Sequence, residues 1–386
     1  MFRNILAAFT AIGLATLGAG QASAQSFDCA GGAITIGMAK AQTGGFAFFD
    51  NVDARGALIA IEQINEKGGI GGCPIKVIRG DTQSDPAKAR QVAEELIAQG
   101  AQLLIVPADF DIGVGASQAA QAAGILSFSC AASSTAWTQA VGPHHFTAAI
   151  TIEDSGKAQA VFANQKGWKR MYVVVNAAFN FFTALEKTFR DNFAGEIVAT
   201  DTVANDATDY SANVSKIRRL GDKVDAVYLN DYFPHVGTFI RQLRAAGVNL
   251  PILGNSTFSS KALPKVVGAK ALSNVYYIAQ GFYEGRNLDP AVADLVKRYE
   301  KKYGTFPENL NVLPGYQGML LLADALRKAG SVDAAKISAA LSSQTNVALP
   351  GSTLYRWKNR HPVRSATVIG FDAKGEFVKV QSVDPR

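Results

Sequence analysis

The chain has 386 residues, 48% hydrophobic and 18% charged, which fits a globular protein of about two domains and excludes a disordered or fibrous one. Its 38 Lys and Arg against 32 Asp and Glu leave a formal charge of +6, scattered or in short pairs such as Arg218-Arg219 and Lys301-Lys302. Without a basic stripe interleaved with aromatics, no nucleic-acid partner is expected.

Residues 1–24 read as an export signal. Arg3 precedes an apolar or small run over 5–20, and Ala22-Ser23-Ala24 supplies a small-residue site, so cleavage is expected after Ala24. The run is too short, and too diluted by Gly, Ala and Thr, for a spanning helix of about 20 strongly apolar residues. No Cys follows the small residues to carry a lipid, so the expected compartment is a bacterial periplasm. In that oxidising setting two of the three cysteines can pair. Cys29 comes just before the first expected strand and Cys73 just before the second. If those strands are parallel neighbours, both residues sit at one sheet edge, and Cys29–Cys73 is the expected disulfide. Cys130 follows the apolar run 125–128 and is expected to be a buried, inert thiol.

Strand-like runs at 33–38, 75–78, 103–106 and 125–128 alternate with helix-like ones at 52–67, 85–100 and 112–123. Leu58, Ile61 and Ile64 recur at helical spacing, and Gly68-Gly69 stops that helix. Asp85-Pro86 joins an N-cap residue to Pro at the first helical position. The alternation resumes after Phe146, with strands at 171–175, 197–203, 226–229 and 252–253 and helices at 153–166, 183–193, 210–220 and 236–246. Residues 367–371 and 376–380 around Asp372-Ala373-Lys374-Gly375 read as a β-hairpin. Alternating strands and helices imply parallel sheets with right-handed crossovers, so the predicted fold is α/β with two doubly wound lobes.

Enzyme signatures are missing. There is no phosphate-binding Gly-x-x-x-x-Gly-Lys and no Gly-x-Ser-x-Gly elbow; Gly113-Val114-Gly115 begins a dinucleotide-like pattern, but Gln118 stands where its third glycine belongs. His144, His145, His235 and His361 lack metal-ligand spacing. No catalytic residue, metal or cofactor is expected, and a secreted hydrolase using Cys130 is a distant alternative.

Several motifs follow one another in a recognisable order: Ile34-Thr35-Ile36-Gly37 with Gln42-Thr43-Gly44; Arg55-Gly56-Ala57 through Ile64-Asn65-Glu66-Lys67-Gly68-Gly69-Ile70-Gly71-Gly72; Asp81 with Asp85-Pro86; Gly124-Ile125; and Phe371-Asp372 with Gly375. Together they resemble a type I periplasmic binding protein of the branched-chain amino acid (leucine/isoleucine/valine-binding) family of ABC transport, over essentially all of the chain beyond residue 24. The resemblance implies a non-contiguous plan: 27–146 with 279–350 as lobe one, 147–278 with 351–386 as lobe two, and a three-strand hinge between them. It also implies a monomeric, periplasmic component that closes on a small-molecule ligand and meets an inner-membrane ABC permease.

Ligands of open α/β sheets bind beyond the C-terminal ends of the strands. Those loops are 42–50, 107–112 and 130–135 in lobe one, and 176–182, 230–233 and 255–258 in lobe two. The family holds an amino acid's carboxylate with lobe-one hydroxyls and amides, and its ammonium with a lobe-two acid. Carried over, Ala131 and Ser133 match the loop that supplies a carbonyl and a hydroxyl, Tyr232 matches a lobe-two aromatic, and Phe49 and Phe181 stand where aromatics are common. Two departures follow. The serine-rich loop is here Asp109-Phe110-Asp111, and Asn255-Ser256-Thr257 replaces the segment that should hold the acid. Either Asp231 or Asp111 answers the ammonium, or the ligand is not an α-amino acid, because a cation left unpaired in a closed cleft is poorly compensated. The expected ligand contacts are Phe49, Phe110, Asp111, Ala131, Ser133, Phe181, Asp231, Tyr232 and Ser256. Phe46, Phe48, Phe179 and Phe182 lie in the same loops, and aromatic walls suit a planar or bulky apolar carboxylate. An amino acid of branched-chain type is favoured on the family's frequency; an aromatic or other non-amino carboxylate is the alternative.

Overall fold

The computed structural model describes Phe27, Cys29 and residues 32–386; the expected export signal lies outside the described residues. In the first lobe, β1 (Ile34–Lys40), β2 (Ile75–Asp81), β3 (Leu103–Ile105), β4 (Leu126–Ser129) and β5 (His145–Thr147) form a parallel sheet in the order β2-β1-β3-β4-β5. α1 (Ala47–Glu66), α2 (Pro86–Ala98), α3 (Phe110–Ala122) and the short α4 (Ala136–Val141) connect its strands. Ile36, Met38, Leu103, Ile105, Leu126 and Phe128 are buried, as strands covered on both faces require.

The second lobe uses α5 (Ile152–Gln165), β6 (Arg170–Asn176), α6 (Asn180–Asn192), β7 (Glu196–Val203), α7 (Ser211–Leu220), β8 (Ala226–Asn230), α8 (His235–Ala245), β9 (Ile252–Gly254), α9 (Ala262–Val267) and β10 (Val275–Ala279). The chain then returns to the first lobe as α10 (Pro290–Tyr303), α11 (Val312–Ala329) and α12 (Ala334–Ser342). β11 (Val347–Leu349), β12 (Ser352–Lys358) and β13 (His361–Arg364) make a small antiparallel sheet. β14 (Ala366–Phe371) and β15 (Phe377–Val383) are the expected hairpin, laid antiparallel against β10, so the second sheet reads β15-β14-β10-β9-β8-β6-β7. Two lobes are therefore present, one on a parallel sheet and one on a sheet that is parallel except for its terminal hairpin, and the fold is the predicted α/β one.

Elements 290–349 were not read from the sequence, and α11 shows why. Pro314, Gly315 and Gly318 look like helix breakers, yet all three are buried in α11. A Cβ at Gly315 would lie 2.0 Å from the Asp53 carbonyl oxygen, and one at Gly56 only 2.2 Å from that of Val312. The glycines let α11 and α1 touch backbone to backbone, and that contact overrides local propensity.

Cys29 and Cys73 form a disulfide with a Cα–Cα distance of 5.8 Å and a sequence separation of 44. Closing a loop of that length constrains the unfolded chain by about 4 kcal/mol. A Cys73→Ser variant should lose stability of that order in urea unfolding; an unchanged midpoint would contradict the assignment. Among the described residues, no helix is long and apolar enough to cross a membrane.

Candidate ligand-binding cleft

The loops beyond the C-terminal strand ends are held by buried charge. Lys40, the last residue of β1, is 1% exposed and sits against Asp50 and Asp53 of α1, which share a helix face. Asp50 accepts from Lys40 Nζ at 3.3 Å and from the amides of Ala41 and Ala108 at 2.8 Å each, so one carboxylate staples the loops after β1 and β3. Burial opposes the Lys40 charge, but Asp50 and Asp53 outweigh it and hold its pKa above the ordinary value. Asp53 has the weaker position. Burial, then the neighbouring Asp50, raise its carboxyl to about 6 against the pull of Lys40, and its Oδ1 has no partner. Asp81 shapes the first loop by accepting from the Gln42 amide at 2.8 Å, the Thr43 amide at 3.2 Å and the Thr43 hydroxyl at 2.7 Å.

On these supports the expected residues divide. Phe48 is 53% exposed and packs edge-on against Phe49 at 5.1 Å, and Phe49 lies 5.4 Å from Phe46. Phe110 turns inward, edge-on to the buried Trp137 at 5.9 Å. Asp109 caps α3 by accepting from the Ile112 amide at 3.2 Å, and Asp111 is exposed in the first turn of that helix. Ala131 and Ser133 are half-buried, and the Ser133 carbonyl accepts from the Ile152 amide at 3.1 Å, which ties this loop to the start of α5.

In lobe two, Asp231 has no exposed surface. Its carboxylate accepts from Asn176 Nδ2 at 3.0 Å, the Tyr210 hydroxyl at 3.1 Å and the Tyr232 amide at 2.9 Å. His235 Nδ1 is 3.4 Å away but poorly aligned, and counts as an unpaired buried atom. Asp231 was expected to face a ligand; here it is committed to its own lobe, because three donors from β6, the segment before α7 and its own loop enclose it. Asn255 is likewise buried. It donates to Asn230 Oδ1 at 3.2 Å and accepts from the Thr257 amide at 2.9 Å, while Ser256 beside it is half-buried.

The aromatics of lobe two form one cluster. Phe179 is 44% exposed and stands edge-on to Phe182 and to Tyr232, each at 5.9 Å; Phe182 and Tyr232 stack at 6.3 Å, and the half-buried Phe181 packs on Phe182. Tyr232 donates to Asn205 Oδ1 at 3.0 Å. Among the described residues no ring contact joins the phenylalanines at 46–49 to those at 179–182 or to Tyr232, while Lys261, before α9, lies 3.2 Å from the ring centroid of Phe306, between α10 and α11. The two sets of loops lie beyond the C-terminal strand ends of their own sheets and together make the candidate site. Asp50, Asp81, Asn176 and Tyr210 were missed by sequence reasoning, and only the charged residues ending an apolar strand and spaced i, i+3 on a helix signalled the first of them. No group of His, Cys, Asp or Glu among the described residues could hold a metal ion.

Known proteins share this architecture. A leucine-, isoleucine-, valine-, threonine- and alanine-binding protein of Pseudomonas aeruginosa is 24% identical over 356 residues, covering 91% of this chain and 89% of its own. An isoleucine-bound branched-chain amino acid transporter substrate-binding protein from Streptococcus pneumoniae superposes with a TM-score of 0.75 at 24% identity, covering 90% of this chain and 99% of that one. A benzoate-bound solute-binding protein of an ABC transporter from R. palustris gives 0.73 at 20% identity, covering 92% and 97%. The profile described as "Periplasmic binding protein" matches residues 33–376, from the threshold of β1 to the turn between β14 and β15, and this chain belongs to that family of solute-binding proteins.

Proposed function

We propose that this chain is the periplasmic solute-binding component of an ABC importer, closing two lobes around a small carboxylate-bearing solute and presenting it to an inner-membrane permease. The observation that carries the reading is the pair of loop sets at the C-terminal strand ends of two largely parallel sheets, where ligands of such sheets bind. In this reading residues 1–24 are removed on export, the mature protein acts as a monomer, and no reaction is catalysed. Burial pushes the Cys130 thiol well above its ordinary pKa, which disfavours the thiolate a cysteine hydrolase needs. Because β5 runs to Thr147, we draw lobe one as 27–147 with 279–364 and lobe two as 148–278 with 366–386. The third crossing moves from Pro350 to Ser365, because His361 lies 2.7 Å from Thr147 Oγ1 and 2.8 Å from Thr138 Oγ1, and the Arg360 carbonyl accepts from the Thr147 amide.

Relatives named for leucine, isoleucine and valine make an aliphatic amino acid the first solute to test. A second reading, an aromatic carboxylate without an amine, is favoured by one feature of the cleft. Asn255 replaces the expected acid and Asp231 is spoken for, so an ammonium lacks a partner in lobe two, while Phe48 and Phe179 offer exposed rings on either side. Ser133 is the proposed lobe-one carboxylate contact. Ser133→Ala should weaken binding by about 1.5–3 kcal/mol, the value of a hydrogen bond to a charged group; unchanged affinity in calorimetry would move the carboxylate elsewhere. Titration with leucine, isoleucine, phenylalanine and benzoate tests the reading itself. Saturable binding of at least one is expected. Silence across all four, or turnover of a bound solute that is lost in Cys130→Ala, would overturn it.

A further inference from the structure

Three segments carry the chain between the lobes: the stretch after β5, the stretch after β10, and Ser365 between β13 and β14. One buried side chain of α11 bonds to Gln280 at the second crossing and to Arg364 beside the third, and those two partners reach the first. Gln317 Oε1 accepts from Gln280 Nε2 at 2.9 Å and from Arg364 Nη2 at 2.5 Å, and Gln317 Nε2 donates to the Pro350 carbonyl at 2.6 Å. Gln280 Oε1 in turn accepts from the Ile150 amide at 2.8 Å. Arg364 donates to the Ala148 carbonyl and to Ser352 Oγ at 2.6 Å each. Neither Gln317 nor Arg364 has exposed surface. A Cβ on Gly281 would lie 2.9 Å from Leu313 Cδ1 and 3.7 Å from Gln317 Nε2, so the second crossing presses against the same amide.

This junction is incompletely satisfied. Arg364 is held by carbonyl, amide and hydroxyl oxygens, and among the described residues no carboxylate pairs with it. Its Nε has no partner. A buried guanidinium without counter-charge, and with one donor unmet, is costly where it stands. Closing the lobes must turn the crossing segments relative to one another. A network bonded to all of them cannot keep every bond through that motion.

We propose that Gln317 and Arg364 form a clasp that holds the cleft open, and that exchange of its partners sets how readily the lobes close on any solute. The proposal rests on the solute-binding reading above and deepens it. Both are positioning residues: they touch the crossings and not the ligand. Their effect therefore enters through the closed fraction, which scales the affinity for every solute alike.

Two variants push the clasp in opposite directions. Gln317→Glu keeps the acceptor for Gln280 and Arg364 and gives the guanidinium its missing counter-charge, which strengthens the open arrangement. Gln280→Leu cuts the link from the first crossing to Gln317 and weakens it. Calorimetry with isoleucine and benzoate, and small-angle scattering of ligand-free protein, read the outcome. For whichever probes bind the unaltered protein, Gln317→Glu should lower affinity on the order of tenfold by one common factor, with the preference between probes unchanged. Gln280→Leu should raise affinity by a similar factor and reduce the ligand-free radius of gyration. Weaker binding in both variants is the signature of general damage, and it would overturn the proposal, as would unchanged affinity and radius in both. If neither probe binds the unaltered protein, the solute-binding reading loses its support. The clasp is then judged by scattering alone, and an unaltered radius in Gln280→Leu refutes it.

Discussion

Replacing Lys40 by Met should cost about 3–5 kcal/mol of folding stability, the usual penalty for removing one partner of a buried ion pair. Among the described residues the ammonium is the single cation serving Asp50 and Asp53, all of them with almost no exposure. Without it two carboxylates remain inside lobe one, and one of them already has an unpaired oxygen. The loss should depend on pH in a stated direction. The folded-state pKa of Asp53 is raised to about 6, above its ordinary 3.8, so between those values the folded chain binds more protons than the unfolded one. Stability from this group is therefore fully present below the ordinary value and falls as pH rises through the folded one. Removing Lys40 takes away the charge that lowers the Asp53 pKa, which widens that window. The variant should lose more stability at pH 8 than at pH 5 in chemical unfolding. An equal loss at both, or less than about 1 kcal/mol at pH 8, would mean that water or another cation serves this cluster.

The second large effect is expected from Gly315→Ala. In an exposed helix interior this change should stabilise by about 1 kcal/mol. Here the added Cβ would lie 2.0 Å from the Asp53 carbonyl oxygen, 2.8 Å from the carbonyl carbon and 2.9 Å from Asp53 Oδ1. Two of those atoms are backbone, so relief requires α11 to move off α1, and overpacking of that kind is expected to cost about 3 kcal/mol or more. The sign alone distinguishes the two arguments. Because the clash and the lost ion pair act on one residue, Lys40→Met combined with Gly315→Ala should fall short of the sum of the single effects. Urea unfolding of both single variants and the double supplies the comparison; strict additivity would separate the helix contact from the charged cluster.

Much of the fold was legible because its signals are local. The strand and helix alternation, the Asp85-Pro86 helix start and the terminal hairpin each depend on neighbours in sequence. The helix at 312–329 was not, because its Gly315 is set by Asp53 of α1 and its Gly318 by Cys130, both far earlier in the chain. The candidate site divides in the same way. Its loops were proposed by the rule that ligands meet strand C-termini; Ser133 and Tyr232 lie in segments between helices and strands, Ser256 in a short turn, and Phe49 in the first turn of α1. Burial of single side chains was not legible. Asp231 is sealed by Asn176 and Tyr210, which lie 55 and 21 residues away, and Phe110 is turned inward by Trp137. No sequence pattern announces such partners, since a loop carboxylate reads the same whether it faces solvent or a ring of amides and hydroxyls.

The central claim is that the two lobes close on a solute. Small-angle scattering of the protein, alone and then saturated with whichever of isoleucine or benzoate calorimetry shows to bind, tests it most directly. The account predicts a smaller radius of gyration in the saturated sample, restored when the solute is dialysed away. Saturated binding with an unchanged radius would contradict it, because the solute would then be held without any closing of the lobes.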